Sequence, residues 1–574
     1  MFYIKNHKQG YIFDPWGHLG PKRRKLLDGS WAGLFQQKIL PKLPVEALRK
    51  HYHDWNGRPT KELYSMISLM ILQQMHDLTD EQAVEQFCFN LQWHYALNIT
   101  NSSDAASYVS LKTLWNMREI LISEELYNEI FTTTLESLVK IFKVDLKKQR
   151  MDSVHIKSNM RHLGRIGLFV KTIKKFLINL KRQHRALFDR LDHDLVMRYL
   201  SKQQESLFAM VKPSDSSRTL DQLANDVFYL TRHFASTSIV YDMSSFKQLI
   251  RLFKEQCVVE DDVSTENKAV AKPNKEVPSD SLQNPSDPDA GYSNHKGKGY
   301  QVQIVENYSE NNDLSLITHV AVESADQHDA NALLPAVEDL KNQEMAPDEL
   351  LADSLYGSDT NCERAREYGV EVIAPVMPGN QKKIPLADFV LDNQGRIISC
   401  PKGFAPVQVK KTKQGFSAVF SSGTCMKCEN FDQCPVCQGK NACYLRYKEK
   451  DIRIAHRRQY EKSQDFKDKY RFRAGVEATM SEYDRRTGVK HLRIRGMKAV
   501  RFAAIMKAIG LNIFRASRHK RGSLTPLTFT WSLIIACLVI LNHVKEQILR
   551  QIQNVAAFWI TFLLTFTNQQ KVQF

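Results

Sequence analysis

Residues 470–501 of this chain read YRFRAGVEATMSEYDRRTGVKHLRIRGMKAVR. Tyr470, Arg473 and Glu477 are separated by three and then four positions, so in a helix they lie on one face. The basic residues that follow are Arg485, Arg486, Lys490, His491, Arg493, Arg495, Lys498 and Arg501. One acid ahead of a run of cations suits a site that holds a metal ion and grips a polyanion. A solvated helix with salt bridges is the alternative that spacing alone leaves open.

The composition predicts a globular, multidomain chain with a polyanionic partner. Its 574 residues suggest two to four domains. The 80 Lys and Arg against 63 Asp and Glu give a net charge of +17, which favours DNA but would equally serve RNA or anionic lipid. The first ten residues contain no apolar segment of the kind that secretory signals carry. We therefore expect a cytoplasmic, nucleoid-associated protein.

Two further acids lie on predicted strands. Residues 149–159 alternate as a strand does, which puts Asp152 on the same side as Val154 and Ile156. A carboxylate there is costly to bury unless it is paired or bound to metal, and a capping or turn Asp is the alternative. Asp353 ends a short apolar strand at a Gly-containing turn. In open α/β sheets, ligands gather at the carboxyl ends of strands.

Asp152, Asp353 and Glu477 become a plausible group only if folding brings them together. Phosphodiester chemistry commonly uses two Mg²⁺ ions about 4 Å apart, which activate the attacking oxygen and stabilise the leaving one. Mg²⁺ prefers a few carboxylate oxygens together with water and substrate phosphate. The sequence therefore predicts a catalytic site in which these three acids bind two Mg²⁺.

The motifs around these acids carry a family resemblance. Three stretches resemble the acidic motifs of DDE-type bacterial insertion-sequence transposases, in the branch with a Tyr-Arg-Glu signature. They are Met151-Asp152-Ser153, the run from Ala352 to Ser358, and Tyr470-x2-Arg473-x3-Glu477. The resemblance implies a ribonuclease-H-like core that cuts element ends by water attack and then joins the freed 3′-hydroxyl to target DNA. It also implies that double-stranded DNA, as element ends and target, is the partner. Two ends must meet, so a homodimer or larger homo-oligomer is expected.

The resemblance assigns DNA contacts to the stretch around Glu477. Tyr470 and Arg473 would position Glu477 and DNA phosphate. The family pattern continues with Lys seven positions after the Glu, where this chain has Asp484. Either Arg485 or Arg486 takes over that DNA contact, or this copy is impaired. The predicted DNA-binding residues are Tyr470, Arg473, Arg485, Arg486, Lys490, Arg493 and Arg495.

Six of the ten Cys residues fall within residues 400–443. Cys425-x2-Cys428 and Cys434-x2-Cys437 have the spacing that lets two thiolates bind one ion, and Cys400 and Cys443 offer further ligands. In a reducing cytosol this clustering favours metal over disulfides. We predict a structural Zn²⁺ bound by four of the six, with free thiols or an Fe–S cluster as alternatives.

The predicted fold class is α/β: a ribonuclease-H-like mixed sheet with a helical N-terminal domain and with inserted helical and Cys-rich regions. Two helices, at 63–75 and 80–90, are joined by a tight turn, which fits helix-turn-helix DNA binding or an ordinary bundle. The predicted regions are a helical DNA-binding domain at 1–145, the catalytic core at 146–160, 290–375 and 465–520, a helical insertion at 161–258, a flexible linker at 259–289, a Cys-rich insertion at 376–464 and an apolar tail at 521–574.

The apolar stretches 527–541 and 556–566 are too short to span a bilayer, so we expect buried or partner-packing helices and no membrane partner. The sequence as a whole predicts a Mg²⁺-dependent transposase. A DNA endonuclease without strand transfer and a catalytically dead, zinc-containing DNA-binding regulator are the alternative functions.

Overall fold

A computed structural model describes residues 1–520 except 10, 11, 13, 202–207, 209, 210, 261–267, 312 and 379–382, together with residue 545. Apart from residue 545, the predicted apolar tail at 521–574 lies outside the described residues. The described residues form a mixed α/β protein, which confirms the predicted α/β class.

The N-terminal region is helical. Its helices are α1 (Pro21–Asp28), α2 (Trp31–Leu34), α3 (Leu63–Met75), α4 (Asp80–Phe89), α5 (Leu91–Leu97), α6 (Asp104–Ser107), α7 (Leu111–Ser123) and α8 (Leu126–Phe142). The predicted helices at 63–75 and 80–90 are confirmed as α3 and α4. Thr79 caps α4 because its hydroxyl accepts the N–H of Gln82, whose side chain in turn accepts the N–H of Thr79.

Helix α3 is buried on nearly all sides, from Leu63 to Met75. It belongs to the same hydrophobic core as the central sheet and the last described helix, which we call α21 (residues 497–520). The helical N-terminal region and the sheet are therefore packed around one core. DNA binding by the predicted helix pair stays a prediction.

The central sheet has six strands: β1 (Lys148–Lys157), β4 (Gly291–Ser293), β5 (Gly297–Asn307), β6 (Ile317–Ser324), β7 (Glu349–Leu351) and β8 (Glu371–Ile373). Strand β5 pairs antiparallel with β1, β4 and β6. Strand β7 lies parallel between β1 and β8. Helices α15 (Leu333–Asn342) and α16 (Asp359–Glu367) follow β6 and β7, and the C-terminal helices are α19 (Gln464–Tyr470), α20 (Gly475–Thr487) and α21.

Two regions interrupt this framework. The first follows β1 and has its own hydrophobic core. Its elements are α9 (Arg165–Gln183), α10 (Arg185–Phe188), α11 (His193–Leu200), α12 (Ser216–His233), α13 (Ser238–Tyr241), α14 (Ser244–Gln256), β2 (Cys257–Glu260) and β3 (Lys268–Ala271). The second follows β8. Its elements are β9 (Val390–Leu391), β10 (Ile397–Ser399), β11 (Gln408–Thr412), β12 (Gly415–Ser421), α17 (Ser422–Cys425), β13 (Cys437–Gln438), β14 (Ala442–Lys448) and α18 (Glu449–Glu461).

The segment predicted as a linker, 259–289, has more structure than its polar, Pro-rich composition indicates. Strands β2 and β3 pair antiparallel, and Asp287 is completely buried. The Asp287 carboxylate accepts hydrogen bonds from the Tyr300 hydroxyl at 2.5 Å and from the Gly496 N–H at 3.0 Å. Asp289 accepts the N–H of Met497 at 2.9 Å. The two acids therefore fix the start of α21 against β5, since the first N–H groups of a helix need outside acceptors.

His76, at the end of α3, lies among the rings of Trp31, Trp93 and Phe514, with ring centroids 5.4 to 5.9 Å away. Its Nε2 is buried without a hydrogen-bond partner among the described residues. Burial lowers the pKa of His76 from 6.5 to about 4.

We expect this lowered pKa to make stability fall on acidification. Between pH 6.5 and 4, His76 is protonated in the unfolded chain but stays neutral in the folded chain. The free energy of unfolding therefore falls by at most about 1.4 kcal/mol for each unit by which the pH is lowered. Denaturant unfolding of the wild type and the His76→Phe protein across this range measures the difference. The exposed His456→Phe is the control. Equal pH slopes for the wild type and His76→Phe would contradict the assignment.

No helix among the described residues is both long and apolar enough to cross a membrane.

Candidate active site

Strands β1 and β7 place two predicted acids side by side. These strands pair in parallel with Arg150 opposite Leu351, so Asp152 in the middle of β1 and Asp353 just past the end of β7 each follow that pair by two positions. Adjacent strands lie about 4.8 Å apart. Asp353 is half-buried, and its carboxylate accepts the N–H of Leu355 at 2.8 Å, which fixes the turn after β7.

Arg473 joins the third predicted acid to this pair. Its guanidinium donates to Asp152 at 2.7 Å and to Glu477 at 2.8 Å. The structure therefore brings Asp152, Asp353 and Glu477 to one site, although Asp152 and Arg473 are 321 positions apart in sequence. The Asp152 side chain is only 16% exposed, whereas that of Glu477 is 67% exposed.

The start of α20 lies close against β1, and Gly475 leaves room there for the Arg150 side chain. A Cβ on Gly475 would lie 2.0 Å from the Arg150 guanidinium. Arg150 itself donates to the carbonyl of Phe472 at 2.7 Å, so it holds the turn that carries Arg473. Gly475 thus permits the close approach that brings Arg473 and Glu477 to Asp152.

The pKa of Asp152 is affected by its burial and by the acids around it. Burial raises its pKa above the ordinary value, and the nearby Asp353 and Asp329 carboxylates add to this effect. The Arg473 cation and the Ser153 N–H act in the opposite direction. A second cation in this site would therefore favour the ionised carboxylates.

Sequence reasoning missed Asp329 and Lys296 at this site. Asp329 is 12% exposed and accepts from the Gln303 side chain at 3.1 Å. The Lys296 ammonium lies 3.0 Å from the Ser153 hydroxyl and 3.5 Å from Asp329. No local motif marks Asp329, so only the fold distinguishes it. The arrangement adds an acid and a cation beside Asp152.

The predicted DNA contacts near Glu477 differ in their surroundings. Tyr470 stacks on Phe466 with ring centroids 5.2 Å apart. Arg485 is exposed and pairs with no described carboxylate. Arg486 pairs with Glu482 at 2.8 Å.

The other residues predicted to contact DNA form ion pairs or hydrogen bonds within the protein. The Lys490 ammonium lies 3.8 Å from Asp484, whose carboxylate also accepts the Lys490 N–H at 3.1 Å. Asp484, which stands where the family pattern has Lys, thus fixes the turn after α20. Arg493 pairs with Asp77 at 3.1 Å, and Arg495 donates to the Asn159 carbonyl. Both connect the basic loop to neighbouring elements.

Most of the clustered Cys residues meet in the second insertion. Cys400, Cys425, Cys428 and Cys434 line a cavity of about 130 Å³. Burial and then the neighbouring Cys443 thiol raise the pKa of Cys425 to about 12. The sixth predicted ligand, Cys437, is exposed on β13 and does not line this cavity.

Within the described part of the chain, no group of three or more His, Cys, Asp or Glu side chains is arranged to hold a metal ion. The donor chemistry still fits the predicted ions. Asp152, Asp353 and Glu477 offer the oxygen ligands that Mg²⁺ prefers, and the gathered thiols offer the sulfur ligands of structural Zn²⁺.

Two family models match this chain, and both describe transposases. One, described as Transposase DDE domain, matches residues 399–516. The other, Transposase domain (DUF772), matches residues 34–119. Two stretches of the chain are therefore similar to transposase domains, and the transposase family implies DNA as the substrate.

The two matches together indicate a DDE-type insertion-sequence transposase, as the acidic motifs predict. Enzymes of this family generally use a divalent metal. The first match includes Tyr470, Arg473, Glu477 and the six clustered Cys, whereas Asp152 and Asp353 lie outside both matched ranges. No curated protein and no solved structure matches the chain.

Proposed function

We propose that this chain cleaves the ends of an insertion sequence and joins them to target DNA, using two Mg²⁺ ions held by Asp152, Asp353 and Glu477. The observation that carries the proposal is the parallel register of β1 and β7, which sets Asp152 beside Asp353. The Arg473 contacts, which link Glu477 to Asp152, support it further.

The sheet topology supports a ribonuclease-H-like core. The strand order β6-β5-β1-β7-β8 combines an antiparallel meander of β1, β5 and β6 with two parallel strands, β7 and β8. An acid in the middle of β1, beside an acid just past the end of the parallel strand β7, agrees with that architecture.

When bound, the metal ions would activate the attacking oxygen and stabilise the leaving one. The chain's own residues have separate tasks. Asp152 must lose its proton before it can act as a ligand, and its raised pKa places that step at a higher pH than for an exposed Asp. Arg473, which pairs with both Asp152 and Glu477, is placed to transfer its hydrogen bonds to a DNA phosphate. Lys296, which contacts Ser153 and Asp329, offers a second cation at this site.

The experiment that tests the function is an assay of purified protein on labelled linear DNA carrying the element's own ends, with and without Mg²⁺. We expect Mg²⁺-dependent nicking at the ends, followed by joined products when target DNA is added. Cleavage without joining would establish the endonuclease alternative. DNA binding without any cleavage would establish the regulator alternative, and attention would then turn to Asp484.

We further propose that the protein acts on chromosomal DNA in the bacterial cytoplasm as a homodimer or larger assembly, because two ends must be joined together. Sedimentation of the protein with and without end DNA tests this assembly. Cleavage by complexes that contain one protomer and one DNA end would contradict it.

A structural Zn²⁺ in the second insertion is also proposed, bound by four of the six clustered Cys. The shared cavity of Cys400, Cys425, Cys428 and Cys434, with Cys443 beside Cys425, supports it. The zinc content of the purified wild type and of the Cys425→Ser protein tests it, and wild-type protein that refolds fully without zinc would refute it.

A further inference from the structure

The second insertion carries a four-stranded antiparallel sheet in the order β11-β12-β14-β13. One face of this sheet packs on a small hydrophobic core that includes Phe416, Phe420 and Leu445. The opposite face, which we call the outer face, has no such core. Its side chains are exposed or half-exposed.

The strand register places basic side chains together on the outer face. Lys410 on β11 is opposite Ser417 on β12, which is opposite Arg446 on β14. Lys448 follows Arg446 by two positions and therefore lies on the same face. Lys410, Arg446 and Lys448 are all exposed.

These three cations are free to meet an external anion. None of them forms an ion pair with a carboxylate in the described part of the chain. Strands β11 to β14 contain no Asp or Glu at all. The exposed Lys413 and Lys440, on the two hairpin turns of this sheet, add to the positive charge.

The spacing of the cations suits a nucleic-acid backbone. Lys410 and Arg446 are separated by two strand spacings, about 10 Å, and Arg446 and Lys448 by about 7 Å along the strand. Phosphates of one DNA strand recur about every 3.4 Å along the axis, so these cations can reach phosphates two or three base pairs apart. Among the other side chains of this face, Gln408, Thr412 and Tyr444 are of the polar kinds that also contact phosphate, and Val419 and Ala442 are apolar.

The sheet is coupled to the candidate active site through α18. This helix begins directly after β14, and its Arg457 donates to the carbonyl of Gly357 at 2.9 Å. Arg453 pairs with Asp359 at 2.6 Å. Both partners lie in the segment that follows Asp353. DNA bound to the outer face would therefore be held by a unit attached to the active-site loop.

We propose that the outer face of the β11–β14 sheet binds the sugar-phosphate backbone of duplex DNA at a distance from the three acids. The proposal rests on the proposed function, since it takes DNA as the substrate. Contacts of this kind position DNA and increase affinity without reading its sequence.

The test compares two triple variants of the full-length protein. The first removes the outer-face charges by Lys410→Gln, Arg446→Gln and Lys448→Gln. The matched control removes three other exposed, unpaired charges by Lys254→Gln, Lys275→Gln and Lys341→Gln. Binding to labelled duplex DNA of random sequence is measured without Mg²⁺ over a range of salt concentrations, so cleavage plays no part.

We expect the outer-face variant to bind at least about tenfold more weakly, and its dependence of log affinity on log salt to be less steep by about 2 to 3. The control variant should keep the wild-type affinity and slope. With Mg²⁺, the outer-face variant should need more DNA for half-maximal cleavage but reach the wild-type maximal rate. Unchanged thermal unfolding is expected because the three side chains are exposed.

Other outcomes separate this proposal from the proposed function. Equal DNA binding by the two variants, with a wild type that binds and cleaves, would overturn the outer face as a DNA surface and leave the transposase function intact. Loss of binding to phosphatidylserine vesicles but not to DNA would reassign the face to anionic lipid. A wild type that binds no DNA would overturn both proposals.

Discussion

Replacing Asp353 by Asn is expected to abolish Mg²⁺-dependent cleavage of element ends and to leave DNA binding unchanged. The substitution keeps the size of the side chain and its ability to accept the Leu355 N–H, but it removes the negative charge. Stabilisation by metal ions is worth several kcal/mol in such reactions, so the cleavage rate should fall by at least about 100-fold. Cleavage and gel-shift assays on the same end-bearing DNA measure the two effects.

The matched control is Asp348→Asn. Asp348 is exposed, and it precedes β7 at the end of the strand opposite Asp353. This variant should cleave at the wild-type rate. If Asp353→Asn retains more than a tenth of wild-type cleavage, or if the two variants behave alike, Asp353 is not a metal ligand and the three-acid site is wrong.

The local elements of the catalytic core could be predicted from sequence because their patterns are strong. The alternation over 149–159 and the short apolar strand ahead of Asp353 correspond to β1 and β7. Their pairing depends on register, which no local pattern specifies. The family resemblance led us to group Asp152 with Asp353. The parallel register of β1 and β7 gives the physical reason why these two acids lie close together.

The sequence could not predict which side chains contact each other across long stretches of the chain. Arg473 meets Asp152 where Gly475 lets α20 lie close against Arg150 of β1. Asp287, in a segment that reads as a linker, is completely buried, and its carboxylate accepts hydrogen bonds from the Ser158 and Tyr300 hydroxyls and from the Gly496 N–H. In both cases the decisive interaction joins residues that are far apart in the chain.

A buried interaction between distant residues also marks the position at which we expect a substitution to cause the largest loss of stability. Glu306 on β5 has no exposed side-chain surface, and its carboxylate binds Arg150, Arg515 and Thr479 at 2.7 to 2.8 Å. It therefore connects β1, β5, α20 and α21 around one buried negative charge. Asp152 and Glu477 are carried by two of these elements, so the network also supports the candidate active site.

The Glu306→Ala substitution is expected to reduce the free energy of unfolding by about 3–5 kcal/mol, because it leaves two largely buried guanidinium groups without their shared partner. The control is Glu310→Ala, whose side chain is 60% exposed in its pair with Lys148 and should cost no more than about 1 kcal/mol. Differential scanning calorimetry suits the comparison, since the separate core of the helical insertion can unfold in its own transition. Only the transition of the central sheet should move in Glu306→Ala. Equal shifts in the unfolding transition for Glu306→Ala and Glu310→Ala would mean that the buried network does not hold the sheet to α20 and α21. The position of Glu477 relative to Asp152 would then depend on the apolar packing of these elements.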